Sequence, residues 1–72
     1  MPELPVVSGS DAVKALERFG FRRVRQKGSH VVLRRGPNGC VVPLHRETKR
    51  GTLAAILRQA KVSTEEFVQA LK

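Results

Sequence analysis

The chain has 72 residues, and a domain of that size buries only about 60% of the surface its unfolded chain exposes, so it folds with little margin. Fourteen Lys and Arg against six Asp and Glu give a net charge of +8, a field that favours polyanions: RNA, DNA, an acidic protein or an anionic membrane surface. One cysteine, Cys40, excludes an internal disulfide, one cysteine and two histidines do not make a recognised zinc site, no apolar run has the length of a membrane span, and the absence of Trp and Tyr removes base-stacking platforms. The expectation is one soluble, cytoplasmic domain over residues 1–72, with no cofactor, no metal and no membrane contact.

Residues 1–7, with two prolines, are expected to form an irregular lead-in. Ser8-Gly9-Ser10-Asp11 has the form of a capping box, and Ala12, Val13, Leu16 and Phe19 then recur at helical spacing until Gly20 stops the helix. Phe21 to Lys27 alternates imperfectly around Val24 and reads as a first strand. Lys27-Gly28-Ser29 is a tight turn, and His30 to Arg35 is short and β-branched, as a second strand requires. Gly36-Pro37-Asn38-Gly39 is another turn, followed by a third strand from Cys40 to Leu44. Pro43 cannot donate to a ladder, so that strand lies at an edge or ends there. Residues 45–50 form a charged loop, and Gly51-Thr52 opens a helix with Leu53, Ile56, Leu57 and Ala60 on one stripe. Ser63-Thr64-Glu65-Glu66 is a second capping box, ahead of Phe67, Val68 and Leu71 on a terminal helix. The predicted class is α+β: an α-β-β-β-α-α sandwich in which helices pack on one face of a three-stranded antiparallel sheet.

The chemistry concentrates at Lys27-Gly28-Ser29-His30. Histidine is the side chain whose ordinary pKa lets it give and take protons near neutral pH, and Arg22, Arg23, Arg25 and Lys27 lie just before this one. If Val31 and Leu33 face the helices, His30 and Arg34 face the open side of the sheet. If Val24 also points to the core, Arg23, Arg25 and Lys27 share that open side, along with Val32. Cations holding phosphate beside a proton-transfer group are what phosphodiester cleavage needs, and one such transfer contributes about 10²–10⁴-fold. With a ribose 2′-OH as nucleophile the reaction would be specific to RNA, His30 serving as general base or general acid. His45, after Pro43-Leu44, is the one other candidate acid/base, although a loop-bonding role explains it as well. Gly28 and Ser29 have a sufficient explanation as turn residues, with a backbone N–H or hydroxyl on phosphate compatible with it. Lys49, Arg50 and Arg58 either extend a phosphate-tracking surface or form a solvated face. A non-catalytic module that binds double-stranded RNA by shape is the alternative.

Taken in chain order, Ser8-Gly9, Gly20-Phe21, Arg25-Gln26-Lys27-Gly28-Ser29-His30, Val42-Pro43-Leu44-His45, Gly51-Thr52-Leu53, Ile56 to Ala60 and Ser63 to Phe67 resemble the HicA family of toxin–antitoxin mRNA interferases. The resemblance implies a double-stranded-RNA-binding-like fold and a type II toxin that cleaves mRNA without a metal. It also implies a catalytic histidine at His30 and neutralisation by a HicB-type antitoxin, whose acidic patch would suit the +8 charge. The RNA-contacting set then comprises Arg23, Arg25, Lys27, Gly28, Ser29, Arg34, Lys49 and Arg50. Two departures stand out: Arg50 where a proline is common, in a loop that looks short, and Lys61 where a helix-ending glycine is frequent. The oligomeric state, monomer or weak dimer, stays open.

Overall fold

The computed structural model describes residues 4–71 and has the expected order of elements. Helix α1 spans Gly9–Arg18, strands β1, β2 and β3 span Arg22–Lys27, His30–Arg35 and Asn38–Pro43, and helices α2 and α3 span Arg50–Ala60 and Thr64–Leu71. The strands form one antiparallel sheet in the order β1-β2-β3, so Pro43 does lie on an edge strand. No described helix is long and apolar enough to cross a membrane.

Each helix starts and stops where local chemistry allows. The Ser8 hydroxyl accepts the Asp11 backbone N–H at 3.0 Å, supplying an orphan donor of the first turn of α1 with a partner. Gly20, at φ +90°, turns the chain away after the Phe19 cap. The second capping box is reciprocal: Glu66 N–H donates to the Ser63 hydroxyl, and Ser63 N–H donates to the Glu66 carboxylate, both at 3.1 Å. Helix α2 begins one residue before Gly51, behind Lys49, with no side-chain cap. It ends at Lys61 in the left-handed conformation, φ 61°, the geometry that a glycine adopts without strain.

The β2–β3 loop is tighter than expected. Arg35 pairs with Asn38, leaving Gly36-Pro37 as the loop, and Gly36 provides the positive φ of 58°. The third strand therefore starts two residues before Cys40, inside what reads as turn sequence, and ends at Pro43.

The core joins Ala12, Val13, Ala15 and Leu16 of α1 to Val31, Leu33, Cys40 and Val42 of the sheet and to Leu53, Ile56, Leu57 and Ala60 of α2. Phe67 of α3, fully buried, completes it, and Arg18 Nη1 ties α1 to α3 through the Ala70 carbonyl at 2.6 Å. Helices α1 and α2 both pack against β3, whereas all six residues of β1 are exposed. The first strand thus projects beyond the helical layer, held to the sheet by β2.

Within the lead-in, Val7 forms an isolated antiparallel bridge with Thr48, and Leu4 packs against the core; residues 1–3 lie outside the described residues.

Candidate nucleic-acid interface

One end of the molecule gathers four chain segments by backbone hydrogen bonds. Lys27 and His30 pair across the Gly28-Ser29 turn, and His30 pairs with Pro43 on its other side. Gly28, at φ +59°, supplies the left-handed residue that a two-residue hairpin loop needs first. Beyond the ladder, Leu44 N–H donates to the Ser29 carbonyl at 2.6 Å, and Gly9 N–H donates to the His45 carbonyl at 2.8 Å. Thr48 N–H then donates to the Val7 carbonyl at 2.6 Å. The β1–β2 turn, the C-terminal end of β3, the start of α1 and the loop into α2 are thereby stitched together.

Glycine at position 9 is what lets α1 come this close. A Cβ there would overlap the Pro43 carbonyl oxygen and stand 2.8 Å from the Leu44 Cα. The Ser8-Gly9 pair thus has two jobs, one capping the helix and the other seating its first turn against the strand that leads to His45.

The electrostatics of this end are predominantly cationic. Each helix N-terminus carries roughly half a positive charge, and the one at α2 has no acidic residue in its first turn. His30, His45, Lys27, Lys49 and Arg50 are all exposed on the segments gathered here, against Asp11 in the first turn of α1 and Glu47, the single carboxylate of the 45–50 loop. From Phe21 to Arg46 the chain has no Asp or Glu at all.

Cross-strand pairing assigns the side chains to faces, since residues directly opposite share a face. Val31 and Leu33 are fully buried toward the helices, so His30, Val32 and Arg34 occupy the open face, as expected. The rows there read Arg22 opposite Arg34, Arg25 opposite Val32 and Val41, and Lys27 opposite His30 and Pro43. Arg23 is a correction to the sequence reading. It pairs with Leu33 on the helix side, where its Nε lies 3.6 Å from the Glu17 carboxylate. The cause is a register shift between Arg23 and Arg25: Val24 is not a core residue but a bulge, 55% exposed. The alternation resumes after it, so Arg25 and Lys27 are where they were expected, and Arg22, absent from the expected set, takes the place of Arg23.

Lys49 and Arg50 lie at the start of α2, the first as its N-cap and the second as its first residue, and belong to no row of the sheet. Arg35, by contrast, is occupied structurally: its guanidinium donates to the Phe19 carbonyl at 3.0 Å and stands 5.0 Å over the Phe21 ring. Cys40 is buried, and burial pushes its thiol up to about 11, a poor setting for a nucleophile. Among the described residues no group of three or more His, Cys, Asp or Glu is placed to hold a metal ion.

The signals that reasoning from sequence missed were Gly9, whose need is visible only against Pro43 and Leu44, and Arg22, whose face depends on the bulge. Comparison with known proteins adds the family. Residues 9–62 match the family model described as HicA toxin of bacterial toxin-antitoxin, a span from the first residue of α1 to just past α2. No curated protein matches the chain significantly.

Proposed function

Since the chain belongs to the HicA toxin family, a toxin family of toxin–antitoxin systems, we propose that it is an endoribonuclease that cleaves mRNA through His30 and is held inactive by a HicB-type antitoxin. The observation that carries this reading is the position of His30: exposed on the open sheet face, directly across from Lys27, at the gathered cationic end of the molecule. The protein acts in the cytoplasm, as a single domain, on RNA held by Arg25, Lys27, Arg34 and the Gly28-Ser29 turn, with Lys49 and Arg50 extending the grip.

In the proposed step the ribose 2′-oxygen attacks the adjacent phosphorus, the bond from phosphorus to the 5′-oxygen breaks, and a 2′,3′-cyclic phosphate and a 5′-hydroxyl result. One proton leaves the 2′-hydroxyl and one reaches the departing oxygen, and His30 moves one of them. Lys27 and Arg25 stabilise the charge that develops on the non-bridging oxygens. His45 is the other imidazole at this end, and Gly9 holds its backbone. It is the candidate for the second proton. No metal is called for by this scheme.

The test compares wild type, His30→Ala and His45→Ala on a single-stranded RNA. Loss of cleavage by a factor of about 10²–10⁴ in His30→Ala, with RNA still bound, supports the assignment. If wild type binds RNA and leaves it uncut, the chain is a binding module; if His30→Ala cuts as well as wild type, the acid/base lies elsewhere. Capture of an acidic partner encoded beside the gene, with cleavage suppressed in the complex, tests the antitoxin.

A further inference from the structure

We propose that the open face of β1 is a track for the backbone of single-stranded RNA, with Arg22, Arg25 and Lys27 taking successive phosphates and the strand delivered to His30 at its end. This rests on the reading of the open face as RNA-binding and narrows it to one kind of substrate and three named contacts.

The bulge sets the pitch. Arg22 stands opposite Arg34, Arg25 opposite Val32 and Lys27 opposite His30, so each step along the track spans two residues of β2. At about 3.3 Å per strand residue each step is about 6.6 Å, near the separation of neighbouring phosphates in an extended polynucleotide. Two residues lie between Arg22 and Arg25 and one between Arg25 and Lys27, yet the bulge evens the two intervals. It also removes Arg23 to the helix side, onto Glu17.

The track is built to need an anion. Arg22 and Arg34 are opposed like charges, an arrangement that destabilises a sheet unless something neutralises it, and no acidic residue lies between Phe21 and Arg46. The cations of β1 run in single file along a strand that projects beyond the helices, with Arg34 beside the first of them on β2, a geometry matched to one phosphate backbone rather than to two across a groove. Beside them lie Val32 and Val41, the latter 41% exposed, and no phenylalanine: Phe21 and Phe67 are buried in the core and Phe19 packs against it, so the one ring on this face is the His30 imidazole at the end of the track. Bases placed beside Arg22 and Arg25 meet an apolar strip without a stacking platform or a base-reading amide. The grip is therefore on the backbone and indifferent to sequence.

A short RNA with 2′-O-methyl riboses lacks the nucleophile, so its binding to the intact protein is independent of cleavage. For single strands log K falls with log salt at about 0.7 per phosphate contact. Arg22→Gln, Arg25→Gln and Lys27→Gln should each flatten that slope by about 0.7, so that raising salt from 50 to 200 mM costs each variant about 2.6-fold less affinity than wild type. Arg23→Gln should leave the slope unchanged. The proposal is overturned if Arg23→Gln flattens the slope as much as Arg25→Gln, if Arg22→Gln leaves it alone, or if a 2′-O-methyl duplex of the same sequence binds tighter. A protein that shows the three slopes but cuts no RNA would retain the track and lose the nuclease; one that cuts through His30 with unaltered slopes would do the reverse.

Discussion

Gly9→Ala and Gly51→Ala are the same substitution in the first turns of two helices, and the structure assigns them opposite signs. At position 9 the new methyl would overlap the Pro43 carbonyl oxygen and lie 2.8 Å from the Leu44 Cα. Both obstacles are backbone, so neither can swing aside, and α1 must withdraw from the end of β3. Overpacking of this kind costs about 1–3 kcal/mol, and stretching the Gly9 N–H to His45 carbonyl bond costs a further 0.5–1.5 kcal/mol or so. Alanine's advantage over glycine in a helix returns about 0.5–1 kcal/mol. The balance is a loss of about 2 kcal/mol. For a domain of this size that lowers Tm by about 8–16 °C. At position 51 a Cβ meets no heavy atom within 4 Å, so only the helix term remains, and Gly51→Ala should raise stability by up to about 1 kcal/mol. Thermal melts followed by circular dichroism, run on both variants beside wild type, decide the matter. A Gly9→Ala protein melting at or above wild type would refute the close seating of α1 on β3 and, with it, the account of how His45 is held.

Three further outcomes follow from individual residues. Lys61→Gly should raise the urea midpoint, by the equivalent of about 1 kcal/mol, because Lys61 bears the steric penalty of φ 61° at the end of α2 and glycine does not. The Thr48 hydroxyl is buried and has no hydrogen-bond partner among the described residues, so Thr48→Val should stabilise by about 1 kcal/mol in the same urea series while keeping the backbone bond to Val7. Glu66 has its carboxyl held below the usual range by the Ser63 backbone N–H first and the Ser63 hydroxyl second. A folded pKa below the unfolded one gives stability that is present above about pH 4.3 and is lost as pH falls through the folded value. Glu66→Gln should accordingly melt below wild type at neutral pH and converge with it in acid, and a constant difference across pH would show the charge to be irrelevant.

The parts of the fold legible in the sequence are those decided by neighbours along the chain. Ser8 and Asp11, Ser63 and Glu66, Gly20, and the Gly28 turn all act within a few residues, so their spacing alone locates the helix ends and the first hairpin. His30 and Arg34 on the open face were legible for a related reason: Val31 and Leu33 lie between them with the opposite parity, and a strand with one buried face fixes its own parity. The first strand offers no such anchor. Arg-Arg-Val-Arg-Gln-Lys has one apolar residue and projects past the helices, so nothing in its pattern penalises a bulge at Val24, and the face of Arg22 and Arg23 is settled only by pairing with β2. The start of β3 was hidden for the opposite reason, since Asn38-Gly39 has turn composition and becomes strand through its ladder to Arg34 and Arg35. Gly9 looked like an ordinary helix-start residue because its constraint comes from residues more than thirty positions away.

A strand with no buried side chain is free of the packing that restrains the rest of the chain. Substitutions along β1 can change the charge of the sheet's open face while Val31, Leu33, Val42 and Phe67 go on specifying the architecture unaltered. Surface chemistry and scaffold are therefore separable on this strand: positions 22, 25 and 27 can change charge without compensating mutations in the interior, whereas Arg23 is tied to Glu17.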